Sequence, residues 1–258
     1  MRWLLMSLLI FSSAFFLVRG AQAQSCPAAA KELLSRSRQL VTVMATSWNT
    51  KKAQVILWER PTTTVPWQIT SKPIEALIGR SGMAWGYPYA ALAVSSSGKL
   101  KREGDERTPA GVYAFGKRFG FLADPAPTYF QILPTTVCVD DSLSTHYNQI
   151  VDSSQVKKDW KTAEEMRKID LYRSGLEIIY PTDAKMRAGS CIFFHIASPK
   201  GSGTSGCTSV SEEAMKTIQA SLKMDFKPMI ALLPRAEFAK WATCFPGLPM
   251  AADAGGEL

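Results

Sequence analysis

The stretch Gly189-Ser190-Cys191-Ile192-Phe193-Phe194-His195-Ile196 ends a strongly apolar run on a histidine, and twelve residues after His195 a cysteine follows within Thr204-Ser205-Gly206-Cys207-Thr208-Ser209-Val210-Ser211. A short apolar and aromatic run bounded by glycine and proline reads as a buried strand. Ser211, with Ala214, Met215, Ile218 and Leu222 on one face, reads as the N-cap and apolar stripe of a helix over 211–222. Between them, Gly201, Gly203 and Gly206 make a loop that leaves room around Cys207. Working outward, segments 39–47 and 53–60 are rich in Val, Ile, Thr and Trp and flank Asn49-Thr50-Lys51-Lys52, which predicts a hairpin. Further strands are expected at 67–71, 90–95, 111–115, 130–133, 176–180 and 229–233, and helices at 27–38 and 162–172. The expected class is α+β, mainly β, with helices packed on one side.

At 258 residues and 46% hydrophobic composition, the chain suits one well-buried domain with a modest extension. Arg2, an apolar run over 3–18 and Ala21-Gln22-Ala23 form the pattern of a cleavable secretory leader. The run is short of the roughly 20 residues a spanning helix needs, and Ala23-Gln24-Ser25 lacks the apolar residue expected before a lipidated Cys26. The reading is a leader at 1–23, an N-terminal extension at 24–38, one main domain at 39–245 and a tail at 246–258, in an exported protein. No later segment reads as a stable membrane span. Losing Arg2 and Arg19 lowers the formal charge from +8 to +6, which favours anionic surroundings. The basic residues are scattered and no recognition motif accompanies them, which argues against nucleic acid.

Five cysteines, Cys26, Cys138, Cys191, Cys207 and Cys244, leave one unpaired in an oxidising compartment. Connectivity stays open: Cys26 with Cys244 would join the chain ends, and Cys138 with Cys191 would link two core segments. Chemistry points to Cys207 as the free thiol. Beside an imidazole and ahead of a helix N-terminus, its pKa is expected to fall, and the amides of Ser205, Gly206 and Cys207 could hold an oxyanion. The plain alternative is a core histidine and a bridged cysteine. With two histidines and no Cys-x-x-Cys pair, neither a metal site nor a dithiol oxidoreductase is expected, and no cofactor is called for. His146 reads as structural, and Asp140 and Asp141 as a turn.

His195 followed by Thr204-Ser205-Gly206-Cys207 resembles the active-site motif of the L,D-transpeptidase (YkuD-domain) family. Upstream, Gly104-Asp105-Glu106-Arg107-Thr108-Pro109-Ala110-Gly111 resembles its Gly-Asp-x-x-Thr-Pro-x-Gly signature. The likeness, of a divergent branch, extends over about 40–233 through Cys138-Val139-Asp140-Asp141 and Tyr147-Asn148. It implies a β-sandwich in which Cys207 is the nucleophile, His195 the base, Ser205, Gly206 and Cys207 the oxyanion amides, and the Ile196 carbonyl the group that orients the imidazole. It also implies substrate contacts from Gly104, Asp105, Arg107, Thr108 and Ser209. The family commonly carries arginine where Ser209 stands, and Arg102, Arg107 and Arg187 are candidates to replace it.

The function this implies is an exported transpeptidase that forms a Cys207 thioester with a peptidoglycan stem peptide and passes it to an amine. The alternatives are a hydrolase of the same fold, either an L,D-carboxypeptidase or an amidase releasing wall-attached protein, and a non-catalytic wall-binding module.

Overall fold

The computed structural model describes residues 25–182 and 184–248. The leader and most of the expected tail lie outside these residues. β1 (Gln39–Ala45) and β2 (Lys52–Glu59) form the expected hairpin, pairing antiparallel with Val43 opposite Val55. β3 (Gln68–Ile69), β4 (Ile74–Leu77), β5 (Met83–Trp85), β6 (Thr108–Gly120) and β7 (Tyr129–Gln131) follow. Then come β8 (Thr136–Val139), β9 (Ile150–Asp152), β10 (Ala163–Glu165), β11 (Ser174–Ile179), β12 (Phe193–Ile196), β13 (Thr208–Val210) and β14 (Met229–Pro234).

Eight of these strands close on themselves in the order β1-β14-β6-β11-β12-β13-β4-β2, with β2 pairing back onto β1. The molecule is mainly β, and this sheet is a barrel where two stacked sheets were expected. Closure comes from β1, which pairs antiparallel with its hairpin neighbour and parallel with β14, leaving no edge to be protected.

The helices lie along one arc of the barrel. α1 (Ala28–Ser35) packs on β6, α3 (Glu212–Ser221) on β11 and β12, and α4 (Arg235–Lys240) on β14 and β1, while α2 (Leu92–Ser95) is a single short turn. This explains the strand patterns: β12 and β14 are buried at every position because they are covered on both faces, whereas β2 lies off the helical arc and alternates over most of its length. α3 starts where the sequence places it, with Ser211 Oγ accepting from the Ala214 N–H at 3.2 Å and Met215 and Ile218 buried.

Two expected elements differ. Segment 90–95 is not a strand: a 3-10 turn over Tyr87–Tyr89 with Pro88 at its start leads into α2, whose Val94 is 92% exposed and has no strand to pair with. Segment 162–172 is not a helix. Ala163–Glu165 instead pairs antiparallel with β8, and two 3-10 turns, Met166–Lys168 and Asp170–Arg173, follow. An available sheet partner overrode the helix propensity of Ala163-Glu164-Glu165-Met166.

β10, β8 and β9 form a separate three-stranded sheet. Together with the turns over 166–173 it caps one end of β12 and β13. Phe119, Ile132, Met166, Tyr172, Phe193 and Cys207 form one apolar cluster there with the Cys138–Cys191 disulfide. A second disulfide, Cys26–Cys244, ties α1 to the turn after α4. Both bridges suit folding in an oxidising compartment. Among the described residues no helix is long and apolar enough to cross a membrane.

Candidate active site

β12 and β13 run parallel, with Phe194 opposite Thr208 and His195 opposite Ser209. Cys207 therefore stands at the head of β13, one residue before the pairing begins, and its sulfur meets the end of β12. The Phe193 N–H donates to Sγ at 3.3 Å, and Sγ lies 3.4 Å from the Cys191 carbonyl. Of the five cysteines Cys207 alone is free.

His195 Nδ1 is 2.8 Å from the Ile196 carbonyl. A carbonyl only accepts, so Nδ1 carries the proton and Nε2 is left with the lone pair. The imidazole is 5% exposed and burial lowers its pKa to about 4, so the ring is neutral at ordinary pH. The thiol departs from expectation in sign. Burial, then the nearby Glu164 carboxylate, push Cys207 up to about 12, against smaller lowering by the Phe193 amide, Tyr172 and Lys101. The helix dipole is out of reach, because the whole of β13 lies between Cys207 and the cap of α3. The resting pair is thus a neutral thiol and a neutral imidazole.

The two sequence motifs meet in space. Thr108, fully buried at the start of β6, accepts from the Gly79 N–H and places its hydroxyl 2.7 Å from the Gly206 carbonyl and 3.2 Å from that of Cys207. Thr204 Oγ1 lies 2.6 Å from the Cys207 carbonyl and accepts from the Gly206 N–H at 3.1 Å. Two threonine hydroxyls thus hold the backbone of the loop that carries Cys207. Gly201 and Gly203 turn this loop with φ of 60° and 82°, and at Gly203 a Cβ would press on Arg80 and the Ile78 carbonyl.

Asp105 orders the turn before β6, accepting from Lys101 Nζ at 2.6 Å and from the amides of Arg102 and Arg107. Gly104 stands open with φ of 71°. The Arg107 guanidinium is committed to Asn49 and to the Trp48 and Met83 carbonyls. Ser209 is buried with its Oγ directed at the Leu77 carbonyl, and Ser205 is exposed on the loop. The Gly206 amide is taken by Thr204, which removes it from the three amides expected to hold an oxyanion. A cavity of about 580 Å³ opens beside the Asp105 turn, lined by Ser81, Lys99, Leu100, Arg102, Asp105 and Arg107. Cys207 is not in its wall; the sulfur lies under the cap.

The cap supplies residues that carry no motif. Tyr172 is buried, donates its hydroxyl to Glu164 Oε2 at 2.7 Å, and sets its ring 5.2 Å from the His195 ring in a T-shaped arrangement. Burial raises the Glu164 carboxyl to about 7. Glu164 and Tyr172 fall within the segment expected to be helical, which concealed them. Thr204 was visible as part of the Thr-Ser-Gly-Cys run.

Comparison of the chain with protein-family models, with curated proteins and with solved structures finds no match.

Proposed function

We propose that this chain is an exported cysteine acyltransferase acting on stem peptides of a bacterial cell wall, with the chemistry of an L,D-transpeptidase. The observation that carries the reading is the placement of the single free thiol at the head of one strand, beside the parallel strand that carries a histidine whose Nδ1 is held by its own backbone carbonyl. The resemblance of both motifs to the L,D-transpeptidase family supports it, as does their meeting through Thr108. The two disulfides fit a periplasmic or wall location.

In this mechanism Sγ attacks the amide carbonyl of a stem peptide while Nε2 of His195 takes the thiol proton. Because the resting pair is neutral, proton transfer accompanies attack. The amides of Ser205 and Cys207 receive the developing oxyanion. His195 returns the proton to the departing amine, a thioester remains, and an incoming amine then takes the acyl group with His195 as base. Cys207 is buried, so a substrate reaches the sulfur only through a local opening around it.

A hydrolase of the same chemistry, an L,D-carboxypeptidase or an amidase that releases wall-linked protein, is the second reading. It is favoured by Ser209, whose buried side chain offers no guanidinium to hold a carboxylate. Mass spectrometry of tetrapeptide muropeptides incubated with the mature chain, native and Cys207→Ala, tests both. Dimers that depend on Cys207 establish transpeptidation, and shortened monomers alone establish hydrolysis. No Cys207-dependent product from a folded chain sinks the catalytic proposal.

A further inference from the structure

We propose that Tyr172, held by Glu164, is the positioning residue of this site, registering nucleophile and base that among the described residues share no hydrogen bond with each other. The inference rests on the catalytic reading above and adds to it a side chain from the cap. The Tyr172 side chain is set against both groups. Its hydroxyl bonds to Glu164 Oε2 and reaches the Cys207 thiol, and its ring lies across the His195 imidazole. The ring is itself fixed by T-shaped contacts with Phe119 and Phe193 at 5.9 and 5.4 Å. Neither the hydroxyl nor the ring can shift without moving against that cage.

The two cap residues act on the sulfur in opposite senses. The Tyr172 hydroxyl has one proton, which in the resting site goes to Glu164; turned to the sulfur it stabilises a thiolate, while the Glu164 carboxylate competes for that proton and opposes the thiolate by like charge. The other charged and titratable groups around them are few. Lys101 favours the thiolate, Asp140 and Glu103 raise Glu164 further, and His195 is neutral. Glu164 thus orients the tyrosine and also holds the thiol protonated until substrate enters.

The experiment is iodoacetamide alkylation of the mature chain with its disulfides intact, where Cys207 is the only free thiol. Rates are measured from pH 6 to pH 10 for the native chain, Tyr172→Phe and Glu164→Gln. Tyr172→Phe keeps the ring and loses the donor, so alkylation falls about tenfold at every pH. Glu164→Gln keeps an acceptor for the tyrosine and loses the charge, so alkylation rises about tenfold well above pH 7 and approaches the native rate below it, where the native carboxyl is already neutral. Shifts of the same sign in both variants, or a Glu164→Gln change independent of pH, describe a loosened cap and overturn the proposal.

Muropeptide turnover separates this inference from the one beneath it. Tyr172→Phe is expected to lower kcat with little change in KM, since the tyrosine positions groups used in the chemical step. The opposed alkylation shifts in a chain without turnover would sink the catalytic reading alone, and turnover without those shifts would sink the role given to Tyr172.

Discussion

Replacing Glu164 by glutamine should stabilise the protein at neutral pH and leave it unchanged in acid. The folded carboxyl titrates at about 7 against an ordinary value of 4.5. Between those values the folded state keeps a proton that the unfolded state has released, so stability falls as pH rises through the window. A displacement of this size corresponds to about 3 kcal/mol, and discounting for partial exposure leaves about 2 kcal/mol. His195 acts in the other direction. Its folded pKa of about 4 lies below the ordinary 6.5, so the unfolded state binds the extra proton and stability rises with pH over nearly the same range. The two contributions offset each other in the native chain over that range. Glu164→Gln removes the falling contribution and leaves the rising one. Urea unfolding at pH 4.5, 5.5 and 7 should therefore give a difference from the native chain that grows from near zero to about 2 kcal/mol. A constant difference across that range would mean that Glu164 is not desolvated by the cap, and the electrostatic account of the site would fail with it.

Thr108→Val should cost about 2–4 kcal/mol in urea unfolding, because it strips the buried partner of the Gly79 amide and of the Gly206 carbonyl together, while Thr108→Ser restores most of it. Removing the Cys138–Cys191 bridge by a double substitution to serine should lower stability by about 2–4 kcal/mol. It should also speed Cys207 alkylation at pH 8, since that bridge ties the cap sheet to the residues before β12; an unchanged rate would show that the cap is held by packing alone. Ser211→Ala should cost about 1 kcal/mol through loss of the α3 cap, read by thermal unfolding, without altering alkylation of Cys207, because β13 separates the cap from the thiol.

What was legible in the chain was what local pattern specifies. The apolar run ending at His195, the hairpin of β1 and β2 and the capped stripe of α3 are each defined within a few residues, so composition, turn residues and, for α3, periodicity located them. Barrel closure was not legible in this way, since it depends on Leu40 meeting Met229 across most of the chain length. The same division runs through the site. Cys207 and His195 were visible because a glycine-rich loop and a strand end mark them. The ionisation of Cys207 was misjudged because it is set by burial and by Glu164, which lies in the segment that joins β8 as a strand. Read as a helix, that segment offers its acids to solvent; folded as a strand and two turns, it brings Tyr172 and Glu164 onto the thiol. A nucleophile can be located from its own neighbours in sequence. Its reactivity belongs to the segment that covers it, and here the local pattern of that segment points to a helix that the fold does not form.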